Sequence, residues 1–256
     1  MPFPNTKSKY KERVYSSAKD YVKHKIEKNA YPKKIDAKTI IICYSDKVMD
    51  YVKNHYKIKH IKKFPGDLYL IKGSEIGILG NFGIGAPAVA TLMEELVVYG
   101  VKNFISIGES GALQSNLEIN DIVVCEKSIR DEGTSYHYLK PSKYSYADKD
   151  LTKRIKKILK NNNIDFYMGK GWTIDTPYRE TVKEIKKYQK EGVLTVDMEA
   201  SAVFAIAKSL NVKAAAIFVI SDILVGGEWK QGYHKTDQQV LKIIDVLLTG
   251  FITAPF

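Results

Sequence analysis

From Thr39 onward, short apolar runs alternate with amphipathic stretches. Ile40-Ile41-Ile42-Cys43 is a four-residue apolar run suited to a buried strand, and Asp46 to His55 has the spacing of a short helix. Leu68 to Ile71 and Ile76 to Leu79 read as strands bracketed by Gly66 and Gly73. Pro87 to Tyr99 has helical spacing, with Pro87 in the first turn, where its missing N–H costs nothing. Phe104 to Ile107, Ile119 to Ile129 and Phe166 to Trp172 predict further strands. Leu151 to Asn161 and Val182 to Gln189 predict helices. Met198 to Leu210 reads as a helix rich in small residues, Ala214 to Ile220 as a fully apolar strand, and Gln238 to Thr249 as a closing helix. Strands alternating with helices, several of them lacking polar alternation, argue for a parallel or mixed sheet covered on both faces. The expectation is a single α/β domain over residues 37–256, preceded by a basic, partly helical extension over residues 1–36. That extension, ending at Tyr31-Pro32-Lys33-Lys34, reads as a surface arm, with an oligomer contact as the alternative.

Composition narrows the classes. A chain of 256 residues with 45% hydrophobic content can bury one large core. No run approaches the roughly 18 to 20 apolar residues of a membrane span, and MPFPNTKSKYKERVY lacks the apolar segment of a secretory signal. Cys43 and Cys125 lie in strand-like runs without metal-ligand spacing, so they read as buried free thiols in a reducing compartment, by default the cytoplasm. No metal site is predicted. The net charge of +11 invites a nucleic-acid partner, but residues 1–36 alone hold ten Lys and Arg against four Asp and Glu. Only Arg13, Arg130, Arg154 and Arg179 among the basic residues carry the planar fork that reads phosphate or guanine. Nucleic acid is therefore disfavoured as the main partner.

Six stretches are dense in functional groups. Asn81-Phe82-Gly83-Ile84-Gly85-Ala86-Pro87 puts glycines between a strand and a helix, where backbone N–H groups can approach a ligand or simply make a tight turn. Gly108-Glu109-Ser110-Gly111 sets a carboxylate among small residues after a strand. Arg130 to Tyr138, RDEGTSYHY, contains His137 without a metal-like partner nearby. In Trp172 to Thr181 an aromatic beside an arginine, Tyr178-Arg179, could hold a flat polar ligand or merely precede a capped helix. Asp197-Met198-Glu199 opens the small-residue helix, where acids complement the dipole or accept from vicinal hydroxyls. Asp222 ends the apolar strand of Ile220-Ser221-Asp222, and strand carboxyl ends border ligand crevices in open α/β sheets.

The ordered set GIGAP with a helix containing EEL, FISIGESGALQ, RDEGTSYHY, VDMEASA and ISD resembles the nucleoside phosphorylase family, in its uridine and hexameric purine branch, with nucleosidase relatives. The resemblance runs from about Thr39 to the carboxyl end. It implies a mixed, partly barrel-like sheet flanked by helices, a homo-oligomer (dimer or hexamer), a nucleoside substrate, and no cofactor beyond inorganic phosphate as a co-substrate. Glu199 would bind the ribose 2′- and 3′-hydroxyls, Met198 would pack beneath the sugar, and Asp197 stands where a glutamate is more usual. Asp222 would protonate the departing base and points toward purines, while the RDEGTSYHY loop with His137 is more similar to the uridine enzymes. The glutamine and arginine that read uracil in the uridine enzymes have no clear match here; Tyr178 and Arg179, and the backbone at Gly83 and Gly108, are ligand contacts that the residues themselves offer.

The resemblance departs at the phosphate. Ser106 stands at the position of a phosphate-gripping arginine, Met49 at that of a second, Ser45 at a loop glycine, and Glu109 at a small hydroxyl residue. At about 4 Å and an effective dielectric near 20, one charge pair is worth roughly 4 kcal/mol, so exchanging attraction for repulsion disfavours a bound phosphate strongly. Two explanations follow. Water replaces phosphate, with Glu109 or Asp46 as its general base, or phosphate is held differently, by Arg130, Arg179 or lysines such as Lys62. A family member that binds nucleosides without turnover is the competing class, and a nucleic-acid role for the basic extension is the third.

Overall fold

The computed structural model describes residues 8–253, so the first seven residues of the basic extension lie outside it. The elements are, in chain order, α1 (Ala18–Glu27), β1 (Thr39–Cys43), α2 (Asp46–His55), β2 (Ile58–Ile61), β3 (Asp67–Ile71), β4 (Ile76–Gly80), α3 (Ala86–Val98), β5 (Asn103–Ala112), β6 (Ile122–Asp131), β7 (Tyr144–Tyr146), α4 (Lys149–Asn161), β8 (Tyr167–Ile174), α5 (Val182–Lys190), β9 (Val193–Asp197), α6 (Ala200–Ser209), β10 (Lys213–Ile223), β11 (Lys230–Gln231) and α7 (Asp237–Thr253). All strands join one mixed sheet. β5 pairs in parallel with β1 and β10 and antiparallel with β9, while β10–β6, β6–β8 and β8–β9 complete a ring of five strands that closes on β5. Beyond it, β1, β4, β3 and β2 extend as an open wing. The expected mixed, partly barrel-like sheet is thus present.

Two apolar clusters cover the sheet. One packs α1, α3 and α6 on Ile40, Ile42, Phe104, Ala216 and Phe218. The other packs α2, α4 and α7 on Ile41, Ile105, Ile107, Ile217 and Val219. Successive strand residues thus feed opposite layers, the period-two alternation of a strand buried on both faces. Among the described residues no helix is long and apolar enough to cross a membrane. Both cysteines are free and buried, and burial pushes the Cys43 thiol up to about 12, as expected of inert core thiols.

Several boundaries differ from the sequence reading. The strand expected at Phe104 to Ile107 continues through Glu109 to Ala112, because β10 and β9 pair with that extension (Gly111 opposite both Asp222 and Val196). Its glycines answer to packing. A Cβ on Gly108 would sit 3.0 Å from the Tyr44 ring, and one on Gly111 only 2.4 Å from Leu224. β9 was not expected; its VLTVD reads as the approach to the acidic motif until β5 and β8 supply its partners. The extension is also more than a surface arm. Ser17 and Asp20 form a capping box at the start of α1, and Val22, Tyr31 and Ile35 are buried beside α3, where the Tyr31 hydroxyl donates to the buried Glu95 (2.9 Å).

Candidate functional site

The head of α6 is built around Asp197. Its Oδ2 accepts the backbone N–H groups of Glu199 (2.9 Å) and Ala200 (2.6 Å), two of the donors a helix start leaves unpaired, and its Oδ1 accepts from the Thr173 hydroxyl on β8 (2.8 Å). Burial pushes the Asp197 carboxyl up to about 6 against these donors. Asp197 therefore fixes the entry of the helix, and the shorter side chain suits a cap. Glu199 is the next acid, buried to 8% exposure. Its Oε1 accepts the Gly85 N–H at 2.6 Å. Gly85 has φ +97°, a left-handed conformation that favours glycine, and it turns the chain into α3 so that its amide faces that acid. Burial, reinforced by the Asp197 charge, pushes Glu199 up to about 8. The glycine turn thus presents a backbone donor to a carboxylate of the protein itself. Met198 is half-buried between the two acids.

Tyr44, at the carboxyl end of β1, stands beside this cluster. Its hydroxyl shares a 3.0 Å hydrogen bond with Ser106, its ring packs on Gly108 and, at 5.7 Å between centroids, on Phe82 of the glycine turn. Burial and Glu199 push its hydroxyl well above the usual tyrosine value. Ser106 is occupied by a neutral partner, and Met49 is buried in the core against Cys43 (3.4 Å between sulfurs).

A second cluster lies at the far ends of β5 and β10. Asp222 accepts from the Ser221 hydroxyl at Oδ1 (2.8 Å) and from the Trp229 indole N–H at Oδ2 (2.8 Å). Half-buried Glu180 is near enough that burial and the Asp222 charge push it up to about 7. Glu109 accepts from the Thr236 hydroxyl at the start of α7. Part of Glu109 reaches solvent, yet burial of the remainder raises its carboxyl; Thr236 opposes this, Asp237 and Asp222 add to it, and Lys47 opposes it. Glu109, Gly108, Tyr44, Ser45, Lys47 and Asp237 line a pocket of about 50 Å³ between β1, β5 and α7. That is room for a few waters. Its one cation, Lys47, is engaged by Asp237.

Tyr178, Arg179, Gly83 and His137 are exposed. Tyr178 is 94% exposed and Arg179 is exposed on the same 3-10 turn. A Cβ on Gly83 would meet nothing within 4 Å. His137 is exposed, accepts from Lys9 at Nδ1, and is held below the usual histidine value by burial and that lysine. Arg130 is committed to the fold: it is 2% exposed and donates to the Ser135 hydroxyl, the Lys140 and Leu139 carbonyls and the Ser142 hydroxyl. It cannot also hold a phosphate, which removes one of the expected substitutes. Sequence reasoning missed Tyr44, Thr173, Glu180, Trp229 and Thr236. Two had a signal: Tyr44 directly follows a buried strand, and Trp229 is one of two tryptophans, in a polar Gly-Gly segment just after Asp222.

Comparison with known proteins agrees with this architecture. The family model described as Phosphorylase superfamily matches residues 38–253. A guanosine phosphorylase of Halorubrum lacusprofundi is 32% identical over 158 residues, 62% of this chain and 65% of that relative, just under two thirds of its length. A DeoD-type purine nucleoside phosphorylase of Shewanella oneidensis is 29% identical over 180 residues, 70% of this chain and 76% of its own. The crystal structure of uridine phosphorylase from Vibrio fischeri superposes with a TM-score of 0.70 at 26% identity, covering 86% of this chain and 92% of that one. With the glycine turn, the acid-headed small-residue helix and the strand-end aspartate all within the matched span, this chain belongs to the phosphorylase superfamily.

Proposed function

We propose that the protein cleaves the N-glycosidic bond of a nucleoside, releasing the free base and the pentose, with purine nucleosides as the preferred substrates. The single observation carrying this is Glu199: a buried carboxyl, at the head of a small-residue helix, with one oxygen held by the Gly85 amide. A ribose diol donates two hydrogen bonds and would stabilise the ionised form that burial disfavours. Asp222, at the end of β10, is the candidate acid for the departing base. Met198 would pack against the sugar, while Tyr178, Arg179, Gly83 and His137 stay candidates for the rim. As the bond breaks the sugar becomes cationic, and nearby carboxylates stabilise that charge. Proton donation to the base adds typically a hundred- to ten-thousandfold. The purine preference is supported by relatives named for guanosine and purine nucleosides. As in the family at large, we take the working form to be a homo-oligomer, a dimer or hexamer.

The acceptor at the sugar carbon is phosphate in the relatives' names, but the pocket beside Glu109 favours water. It holds Glu109 and Asp237, its Lys47 is neutralised by Asp237, and Ser106 is bonded to Tyr44. A base-release assay on a nucleoside panel, with and without phosphate, tests both statements. Release unaffected by phosphate means hydrolysis, with Glu109 as the candidate base. Release that requires phosphate and yields ribose 1-phosphate means phosphorolysis and overturns the water reading. No release, with nucleosides only raising the melting temperature, replaces the enzyme by a binding protein.

A further inference from the structure

The segment after Asp222 is folded back onto it. Leu224 keeps β5 pairing through its N–H to the Ala112 carbonyl, and Gly226 and Gly227 then turn the chain with φ of +78° and +83°. β11 returns antiparallel, with Gln231 opposite Asp222 and Lys230 opposite Ile223, and the Gly232 N–H donates to the Ser221 carbonyl (2.7 Å). This flap carries Trp229, whose indole N–H bonds the buried Asp222 at 2.8 Å while 55% of the residue stays exposed. A large aromatic is thus pinned to one carboxyl oxygen with more than half of its surface exposed. A Cβ on either Gly226 or Gly227 would meet nothing within 4 Å, so the turn borders open space.

We infer that Trp229 is a specificity-determining residue of the base site. Its indole N–H occupies the Asp222 oxygen that, as the acid for the departing base, has to turn to a ring nitrogen of that base, and the incoming base displaces it. The freed indole then covers the base face. The inference rests on the proposed nucleoside reading. Its chemistry is competition between the indole N–H and the base for one carboxyl oxygen, and stacking favours an aromatic ring pair over an indole left in water.

The two tryptophans make this measurable. Trp172 is fully buried with its N–H on Asp131 (2.9 Å), so ligand-dependent emission comes from Trp229. Inosine, in a carbon-linked form whose glycosidic bond cannot be cleaved, and, separately, D-ribose are titrated into the full-length protein, with emission and calorimetry followed side by side. The expected result is an emission change that tracks the inosine isotherm, no change with ribose, and no change in Trp229→Phe. A hydrogen bond that no longer has to be broken is worth up to about tenfold in affinity. Trp229→Phe, which keeps a ring and loses the competing N–H, should therefore bind inosine up to about tenfold tighter than wild type, and Trp229→Ala should bind more weakly than Trp229→Phe. Inosine binding with unchanged wild-type emission, or a Trp229→Phe affinity no better than wild type, overturns the inference. Failure of the nucleoside reading itself would look different: no heat with any purine nucleoside in wild type and variants alike, which overturns the inference as well.

Discussion

Replacing Glu199 by glutamine separates what this residue does for the site from what it costs the fold. The amide oxygen can still accept the Gly85 N–H, so the turn into α3 keeps its bond, but the ionisable group is gone. In the wild-type protein Glu199 is raised from 4.5 to about 8, first by burial and then by Asp197. A raised carboxyl contributes stability that is fully present below its unfolded value and is lost as pH rises through its folded one. The window is therefore from about pH 4.5 to about pH 8. At about 1.4 kcal/mol per pH unit, the loss is bounded at roughly 5 kcal/mol once the group is ionised. Relaxation of the surroundings makes about 2 to 3 kcal/mol the reasonable expectation. Urea unfolding of both proteins at about pH 5 and about pH 9, at equal protein concentration, reads the difference. Glu199→Gln should be close to wild type at the lower pH and more stable by that amount at the higher. Asp197 titrates in both proteins and largely cancels. Activity should fall about a hundredfold or more in kcat/KM, since an amide presents one acceptor and a misplaced donor to a diol. Parallel stability profiles would refute the buried-acid reasoning, whatever happened to activity.

The same acid predicts proton release on binding. Ribose hydroxyls favour the carboxylate, so near neutral pH nucleoside binding should expel a proton, and affinity should rise with pH up to about 8; calorimetric enthalpies that do not depend on buffer ionisation would contradict it. Arg130→Met should lower stability by about 3 kcal/mol, measured by denaturant unfolding, because the Ser135, Leu139, Lys140 and Ser142 acceptors lose a charged donor; a loss under about 1 kcal/mol would mean the loop holds itself. Tyr31→Phe should cost about 1 to 3 kcal/mol by leaving Glu95 without that donor. An unchanged unfolding midpoint would return the extension to the role of a surface arm.

The layered sheet was legible because its central strands are apolar on both faces, so Ile40 to Cys43 and Ala214 to Ile220 announce themselves without alternation. What stayed hidden depends on pairing at a distance. Gly108 to Ala112 looks like a turn until β10 and β9 are known to bond it, and β9 has no meaning apart from β5. The acidic motif was legible as a group, but its division of labour was not: nothing in Asp197-Met198-Glu199 says that the first acid holds the amides at the head of the helix and the second takes the Gly85 amide from a loop 114 residues away. Arg130 misled in the opposite sense. A lone arginine in a polar loop suggests an anion site, and only the fold reveals that its acceptors are carbonyls and hydroxyls of that same loop.

The acids and the serine proposed to line the ligand site are each already matched by a donor or acceptor of the protein. Gly85 serves Glu199, Trp229 and Ser221 serve Asp222, Thr236 serves Glu109, and Tyr44 serves Ser106. This avoids the penalty of buried unpaired polar groups, and it means that substrate affinity reflects a difference between two sets of hydrogen bonds. The two acids at the centre of the reading then behave differently. Gly85 engages one oxygen of Glu199 from a backbone turn, so a diol can be accepted with that bond intact and the cost falls on ionisation. Asp222 has a donor on each oxygen, and one of them rides on a two-glycine flap. Sugar binding should therefore be governed by pH and base binding by the movement of Trp229, and combining Glu199→Gln with Trp229→Phe should give nearly additive changes in inosine affinity. Strong non-additivity would mean that sugar and base contacts are made through one shared rearrangement.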